Sequence, residues 1–352
     1  MIEAKAIPES SIDIRLFDDT PEIWDNYVTA HKDSTLYHLF AWGNVMEEAF
    51  GHKKLYLGAY LYNKLVGILP LILVKSKLFG SCLTSMPFLN YGGVCTNHKE
   101  AVKLLYVKAV ELAKANNVDY LEIRNLQKPS TTVYKTKLEK ATFILALCDN
   151  EKDMLKVFRK QTRNRIRKAE KYGLRVENGA CLSDDFYEAF SVAMKEHGTP
   201  VLGQKFFRTV LKYFGEMTGF YVAYKDKHII GSKLTISFKD TVYQIWGGYP
   251  QKYRYLQANY LLSWEVVKQA IKKKYRYCDF GRSNISSGPA DFKRYFGCEQ
   301  HQLYWEYPYL PSGKIPGLNP QNKKFRVAIS IWKKLPLGVT RLVGPVISKK
   351  LP

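Results

Sequence analysis

Reactive side chains are most concentrated between Asp279 and Gly297. The stretch reads Asp279-Phe280-Gly281-Arg282-Ser283-Asn284, then Ser286-Ser287-Gly288, then Asp291-Phe292-Lys293-Arg294-Tyr295-Phe296-Gly297. A strand runs into small residues that let backbone amides approach a ligand, and a cationic pair framed by aromatic rings follows. This suits an anionic ligand, with Arg282, Ser283 and Arg294 as donors to phosphate and Asp279 and Asp291 as candidate proton acceptors. Gly281 and Gly288 fit plain turns equally well.

A second concentration lies upstream. Residues 152–175 hold ten basic residues against two acidic ones. Leu155, Phe158, Thr162, Ile166 and Ala169 recur at steps of three and four, which predicts one helix with a buried stripe, ended by Gly173. Arg163, Arg167 and Lys168 fall off the stripe, where they either hold phosphates or form a solvated face.

The elements that must position these groups occur twice. Residues 55–125 read as an apolar hairpin (55–62, then 65–74), a Tyr91-Gly92-Gly93 corner, a helical stretch and a strand at 120–125. About 155 residues later the order returns: a hairpin (220–224, then 229–238), a Trp246-Gly247-Gly248-Tyr249 corner, a helical run and a strand at 277–280. Two copies predict two similar α/β (α+β) units with mixed central sheets and a cleft between them. The expected boundaries are 1–150, 151–310 and a basic amphipathic tail at 311–352, with the basic helix at the mouth of the cleft. Further helices are expected within 20–50, over 101–115, over Ser183–His197, and from Leu256 toward Lys274.

Composition narrows the partners. A formal net charge of +22 predicts a polyanionic one: nucleic acid, a nucleotide or diphosphate-linked substrate, or an anionic membrane face. The first residues lack the apolar stretch of a secretory signal, and the densest apolar run, 65–74, is cut by Pro70 and falls short of the roughly 18 residues a membrane span needs, so a cytoplasmic protein is expected. Six scattered cysteines and seven dispersed histidines predict reduced thiols and no metal. From Tyr307 onward there is no Asp or Glu but nine Lys or Arg. Pro and Gly break up the run before Phe325, and residues 325–352 mix the basic residues with Trp332, Leu335, Leu337, Leu342, Val343, Val346 and Ile347, which suits either a segment lying on the cytoplasmic face of an anionic membrane or one packed on the body.

Taken together, the RNRIRKAEKYG helix, His197-Gly198-Thr199-Pro200, Asp279-Phe280-Gly281-Arg282-Ser283, and Asp291-Phe292-Lys293 followed by Phe296-Gly297 resemble the FemAB family. They are most similar to its exosortase (PEP-CTERM)-associated subgroup. The resemblance covers roughly residues 10–310 and the tail. It implies two tandem GNAT-like (acyl-CoA N-acyltransferase-like) domains and transfer of an aminoacyl group from aminoacyl-tRNA to an amine of an envelope precursor, with no cofactor. It also implies that Lys293, matching the family's Phe-Lys-x-x-Phe-Gly element, places its ammonium near the developing oxyanion or a tRNA end. Acetyl-CoA-dependent relatives carry a glycine-bearing turn at a helix start, whereas this chain reads Arg254-Tyr255-Leu256-Gln257-Ala258-Asn259, which makes acyl-CoA the less favoured donor. The chain also lacks the heptad stretch of a helical-hairpin arm. The remaining alternatives are a CoA-dependent N-acyltransferase and a noncatalytic basic adaptor for nucleic acid or anionic lipid.

Overall fold

The computed structural model describes residues 12–76, 80–128, 134–313, 315 and 323–351. Pro316, Gly317 and Pro320, expected to break up the start of the tail, lie outside these residues.

Alternating apolar residues make strands wherever they can bury one or both faces, and here they form three sheets. The six-stranded sheet runs Lys53–Lys54, Leu71–Ser76, Gly80–Ser85, Tyr120–Asn125, Tyr304–Tyr309, Lys135–Lys137. The seven-stranded sheet runs Arg175–Asn178, Thr218–Lys225, His228–Phe238, Thr241–Gly248, Tyr277–Asn284, Lys140–Ala146, Glu299–Gln302. A four-stranded antiparallel sheet joins Asp13–Leu16, Leu57–Leu61, Lys64–Leu69 and Cys95–Thr96.

The duplication is visible in the topology. Each large sheet contains one parallel pair, Gly80–Ser85 with Tyr120–Asn125 and Thr241–Gly248 with Tyr277–Asn284. Each pair is bridged by an amphipathic helix, Lys99–Ala115 or Ala258–Lys272, as a parallel connection requires.

Four details differ from the expected layout. Pro70 cannot donate to a ladder, and the run 65–74 changes sheets there, with Lys64–Leu69 in the small sheet and Leu71–Ser76 in the six-stranded one. Sheet membership crosses the boundary at 150 in both directions: Lys140–Ala146 pairs with Tyr277–Asn284, while Tyr304–Tyr309 pairs with Tyr120–Asn125. The basic segment is two helices, Glu151–Val157 and Lys160–Lys171, because Phe158 and Arg159 are extended. That break inserts the Phe158 ring between Trp264 (5.5 Å) and Phe296 (4.9 Å). The anticipated corner at Trp246 is the end of a strand, whereas Tyr91-Gly92-Gly93 does lie in a loop.

The two halves share one aromatic core. Trp42 meets Phe214 at 4.5 Å, Phe50 stacks on Phe206 at 5.0 Å, and Tyr37 meets Tyr243 edge-on at 5.5 Å. A buried polar joint lies beside it: the Tyr91 hydroxyl donates to Asp279 Oδ2 at 2.7 Å, and Thr142 Oγ1 donates to Asp279 Oδ1 at 2.8 Å. The tail forms the helices Lys323–Lys334 and Leu337–Ser348, which pack on helix Ser183–His197.

Because Asp279 is only 1% exposed, removing a donor leaves a buried carboxylate short of a partner. Tyr91→Phe is expected to lower stability by about 1–3 kcal/mol, measured by urea unfolding at pH 7, with the native spectrum retained.

Candidate active site

The parallel strands Thr241–Gly248 and Tyr277–Asn284 pair only as far as Tyr243 opposite Asp279. Beyond that point they part, although each keeps its outer neighbour. Bulges flank the parting. Ile245 is an extra residue opposite Leu234 and Thr235, and Phe280 and Gly281 together oppose Phe143. Gly281 sits at φ +76°, a conformation glycine adopts without strain. A Cβ there would stand 3.1 Å from the Gln244 carbonyl oxygen, across the opening itself.

The gap opens on a cavity of about 1150 Å³. Its walls include Gln244–Gly247 (residues 244–247), Phe280 to Ser283, and the start of helix Ala258–Lys272. Five cations line it, Arg165, Lys233, Arg254, Arg282 and Lys293, and no Asp or Glu is among the described lining residues. Eight aromatic side chains complete the wall, Trp246, Tyr253, Tyr255, Tyr260 and Phe292 among them. The first half contributes Phe88 and Asn90. The cleft expected between the units is therefore mainly a gap inside the second one, since their facing surfaces are filled by the shared aromatic core.

Lys293 is delivered by helix Gly288–Tyr295, capped where Ser287 Oγ accepts from the Ala290 amide and Pro289 sits in the first turn. The lysine is 8% exposed, and its Nζ donates to the carbonyls of Gly281 at 2.7 Å and Arg282 at 2.9 Å. Desolvation pushes its pKa down to about 8, opposed by nearby Asp279. Asp279 is raised by its own burial and lowered by its hydrogen bonds, including the Gly281 amide at 2.6 Å. It braces the bulge from behind and does not line the cavity. Arg282 does line it, donates to Leu89 O at 2.8 Å, and lies over the Trp305 ring at 5.0 Å. Ser283 is at the wall as well.

The other expected site residues fall elsewhere. Asp291 is exposed and paired with Arg294 at 2.8 Å, because residues two apart on a helix do not share a face and Lys293 takes the inner one. Arg294 also donates to Ile285 O and Gln300 Oε1, so its guanidinium ties the helix to its surroundings. Arg163 and Arg167 border a separate, open hollow with Lys152 and Lys156, and Arg163 donates to the carbonyls of Leu155 and Phe158. Lys168 lies over Tyr172 at 5.6 Å.

Three cavity cations escaped the reading of the sequence. Arg165 reaches the cavity from the other flank of the same helix, bonding Gln257 Oε1 at 3.1 Å over the Tyr260 ring. Arg254 enters on the turn before helix Ala258–Lys272. Lys233, buried in strand His228–Phe238, donates to Gln244 Oε1 and to Ser263 Oγ at 2.7 Å, and desolvation pushes its pKa down to about 7. Its signal was available: it is the one lysine in a central strand otherwise made of apolar and small hydroxyl residues after His228, and a buried lysine is costly unless it is partnered.

Residues 156–294, which supply all the described lining residues of this cavity except Phe88 and Asn90, match the acetyltransferase (GNAT) domain family. The fold is that of two GNAT-like domains in tandem. The structure of FemX is similar at 14% identity and a TM-score of 0.63, covering 83% of this chain and 96% of that one. A tandem GNAT protein from the clavulanic acid biosynthesis pathway is similar at 12% identity and a TM-score of 0.57, covering 85% and 99%. The C-terminal domain of a protein assigned as a lysylphosphatidylglycerol synthetase from Agrobacterium fabrum gives 10% identity and a TM-score of 0.56, covering 82% and 91%. No curated protein sequence matches the chain.

Lys233 supplies a test of the cavity's electrostatics. In the folded protein it loses its proton near pH 7, whereas an unfolded lysine keeps it to about 10.4. Between those values the unfolded chain binds the extra proton, so this residue's contribution to stability rises with pH. Lys233→Met is therefore expected to be more stable relative to the parent at pH 6 than at pH 9, by about 2 kcal/mol, in paired urea titrations.

Proposed function

We propose that the protein is an acyltransferase that moves an acyl group, preferentially an aminoacyl group, from an anionic carrier to the amine of a nucleotide- or lipid-linked envelope precursor at the cytoplasmic face of the membrane. The observation that carries this reading is the cavity, with five cations and eight aromatic rings, and no carboxylate among its described lining residues. Phosphates of a carrier such as the end of a tRNA would meet the cations, and its bases would meet the rings. A similar fold occurs in the C-terminal domain of a protein named for lysylphosphatidylglycerol synthesis. Placement in the exosortase-associated subgroup rests on the motifs and tail of the sequence alone.

An activated ester brings its own leaving group, so the protein needs to align the amine, stabilise the oxyanion and accept one proton. Lys293 uses two N–H donors on the carbonyls of Gly281 and Arg282, and the third is available to the oxygen that gains charge. The nearby Asp279 favours the charged form of Lys293. Lys233 is suited to be the acceptor: its bonds to Gln244 and Ser263 match the two N–H groups of a neutral amine and leave a lone pair. As the amine nitrogen bonds to the acyl carbon and the bond from that carbon to the carrier oxygen breaks, the amine proton passes to Lys233, which hands it on to the departing carrier oxygen and is neutral again.

A specific observation favours a second reading, an acyl-CoA donor. Helix Ala258–Lys272 begins at the cavity beside Arg165 and Arg254, a setting that suits a diphosphate. Against it, Gln257 occupies the left-handed position before the helix, at φ +61°, and folds its amide onto the Arg254 and Tyr255 carbonyls, over the turn a diphosphate would use.

Purified protein supplied with an amine acceptor pool is expected to turn over labelled aminoacyl-tRNA, and turnover with acyl-CoA alone would overturn the preferred donor. Lys293→Met should lower kcat about tenfold or more with a smaller change in KM; full cellular function in that variant would favour a noncatalytic adaptor. The kcat/KM of the parent should rise with pH through an apparent pKa of about 7, since Lys233 must be neutral to accept, and Lys233→Met should lack that rise.

A further inference from the structure

The last helix, Leu337–Ser348, is laid down inside out. Its buried face is made of Thr340, Gly344 and Ser348, one turn apart, and a Cβ on Gly344 would stand 2.9 Å from a Val201 methyl. Its solvent face carries Val339, Leu342, Val343 and Val346, spaced i, i+3, i+4, i+7 and exposed by 40%, 76%, 38% and 52%. A helix on a water-soluble body normally turns such a stripe inward. The preceding helix, Lys323–Lys334, extends the stripe with Val327 (59%) and Ile331 (57%), four residues apart. Six of the thirteen large hydrophobic residues exposed among the described residues lie in these two helices.

The orientation is fixed from below. Arg341 pairs with Glu188 at 2.5 Å and donates from Nε to Ser191 Oγ at 2.9 Å, and Trp332 is only 8% exposed. The last helix therefore cannot roll its apolar side inward without breaking these bonds. Within the tail itself the charge has one sign: Arg326, Lys333 and Lys334 are exposed, Lys349 and Lys350 follow, and no acidic residue occurs beyond Glu306.

We propose that the outer faces of these two helices form a docking surface for an anionic lipid bilayer. The aliphatic side chains would enter the boundary between headgroups and acyl chains, while the surrounding Lys and Arg meet lipid phosphates. Charge selects this occupant over a second copy, which would bring an equally cationic rim, at +22 per chain, against the first. The surface lies in the plane of the membrane, since among the described residues no helix is long and apolar enough to cross one. This inference stands independently of the reaction proposed for the cavity.

The test is flotation of the full chain with vesicles of phosphatidylcholine alone and with ~30 mol% phosphatidylglycerol added. Binding is expected to the anionic vesicles, to weaken as salt is raised, and to be at least about tenfold weaker for the Leu342→Glu, Val346→Glu double variant. Val107→Glu, an exposed aliphatic on helix Lys99–Ala115, should bind as the parent does. Should the double variant misfold by thermal melting, Lys333→Ala with Lys334→Ala provides the second reading, with a loss of anionic selectivity expected. Equal binding to both vesicle types, or full binding by folded variants, overturns the proposal. A concentration-dependent dimer dissolved by Leu342→Glu with Val346→Glu in sedimentation equilibrium would assign the surface to a second copy and overturn it as well.

Discussion

The parting of two parallel strands beyond Tyr243 and Asp279 is the constraint on which the rest of the molecule depends. A ladder that stops in mid-sheet leaves backbone groups needing other partners in a place where burying them unpaired is costly. Here the strand that leaves the ladder is held by side chains. Asp279 accepts from the Gly281 amide, and Lys293 donates to the Gly281 and Arg282 carbonyls. The lysine that faces the cavity thus also keeps it open, and its buried charge is tolerable because a carboxylate and two carbonyls surround it. Gly281 allows the sharp bend at φ +76° that brings both carbonyls within reach of one ammonium.

The first half is a buttress for this arrangement more than a second copy of it. Its own parallel pair also stops early, at Thr84 opposite Glu122. The space beyond is filled by Arg124, which pairs with Glu122 at 2.7 Å and donates to the Met86 and Leu89 carbonyls, with the Trp305 ring stacked over it. Leu89 O then also accepts from Arg282, and Tyr91, two residues on, donates to Asp279. The exchanged strands make the dependence mutual, since Thr142 comes from the strand that crosses into the second sheet and Trp305 from the one that crosses back. Duplication has therefore produced one open gap and one plugged gap that share a wall.

Much of this was legible in the sequence, and the misses have a common physical origin. Period-two and period-3.6 patterns identified both hairpins and the helices at 101–115 and Ser183–His197, because a face that must be buried imposes its spacing. Lys293 stood out as a cation among aromatics. Patterns of this kind say which face of an element is buried but not what the other face meets. Arg163 and Arg165 flank the same buried stripe of Thr162, Ile166 and Ala169, and only tertiary packing turns the second toward the cavity. Likewise, nothing local in Lys140–Ala146 names its partner sheet, since a strand's alternation fixes its faces and leaves its neighbours open. Lys233 needed Gln244 and Ser263, brought to it by another strand and a helix.

The absence of carboxylates among the described lining residues ties the two roles proposed for the cavity together. With no anion among them, these cations repel: the Lys293 charge adds to desolvation in lowering the Lys233 pKa, and the Arg282 charge adds to desolvation in lowering that of Lys293 against the pull of Asp279. An incoming phosphate-bearing carrier would relieve that repulsion and raise the proton affinity of both amines. The site would then bind a proton more strongly with the carrier seated than without it. Coupling of this kind makes the acceptor for the amine proton strongest when the acyl group to be moved is in place.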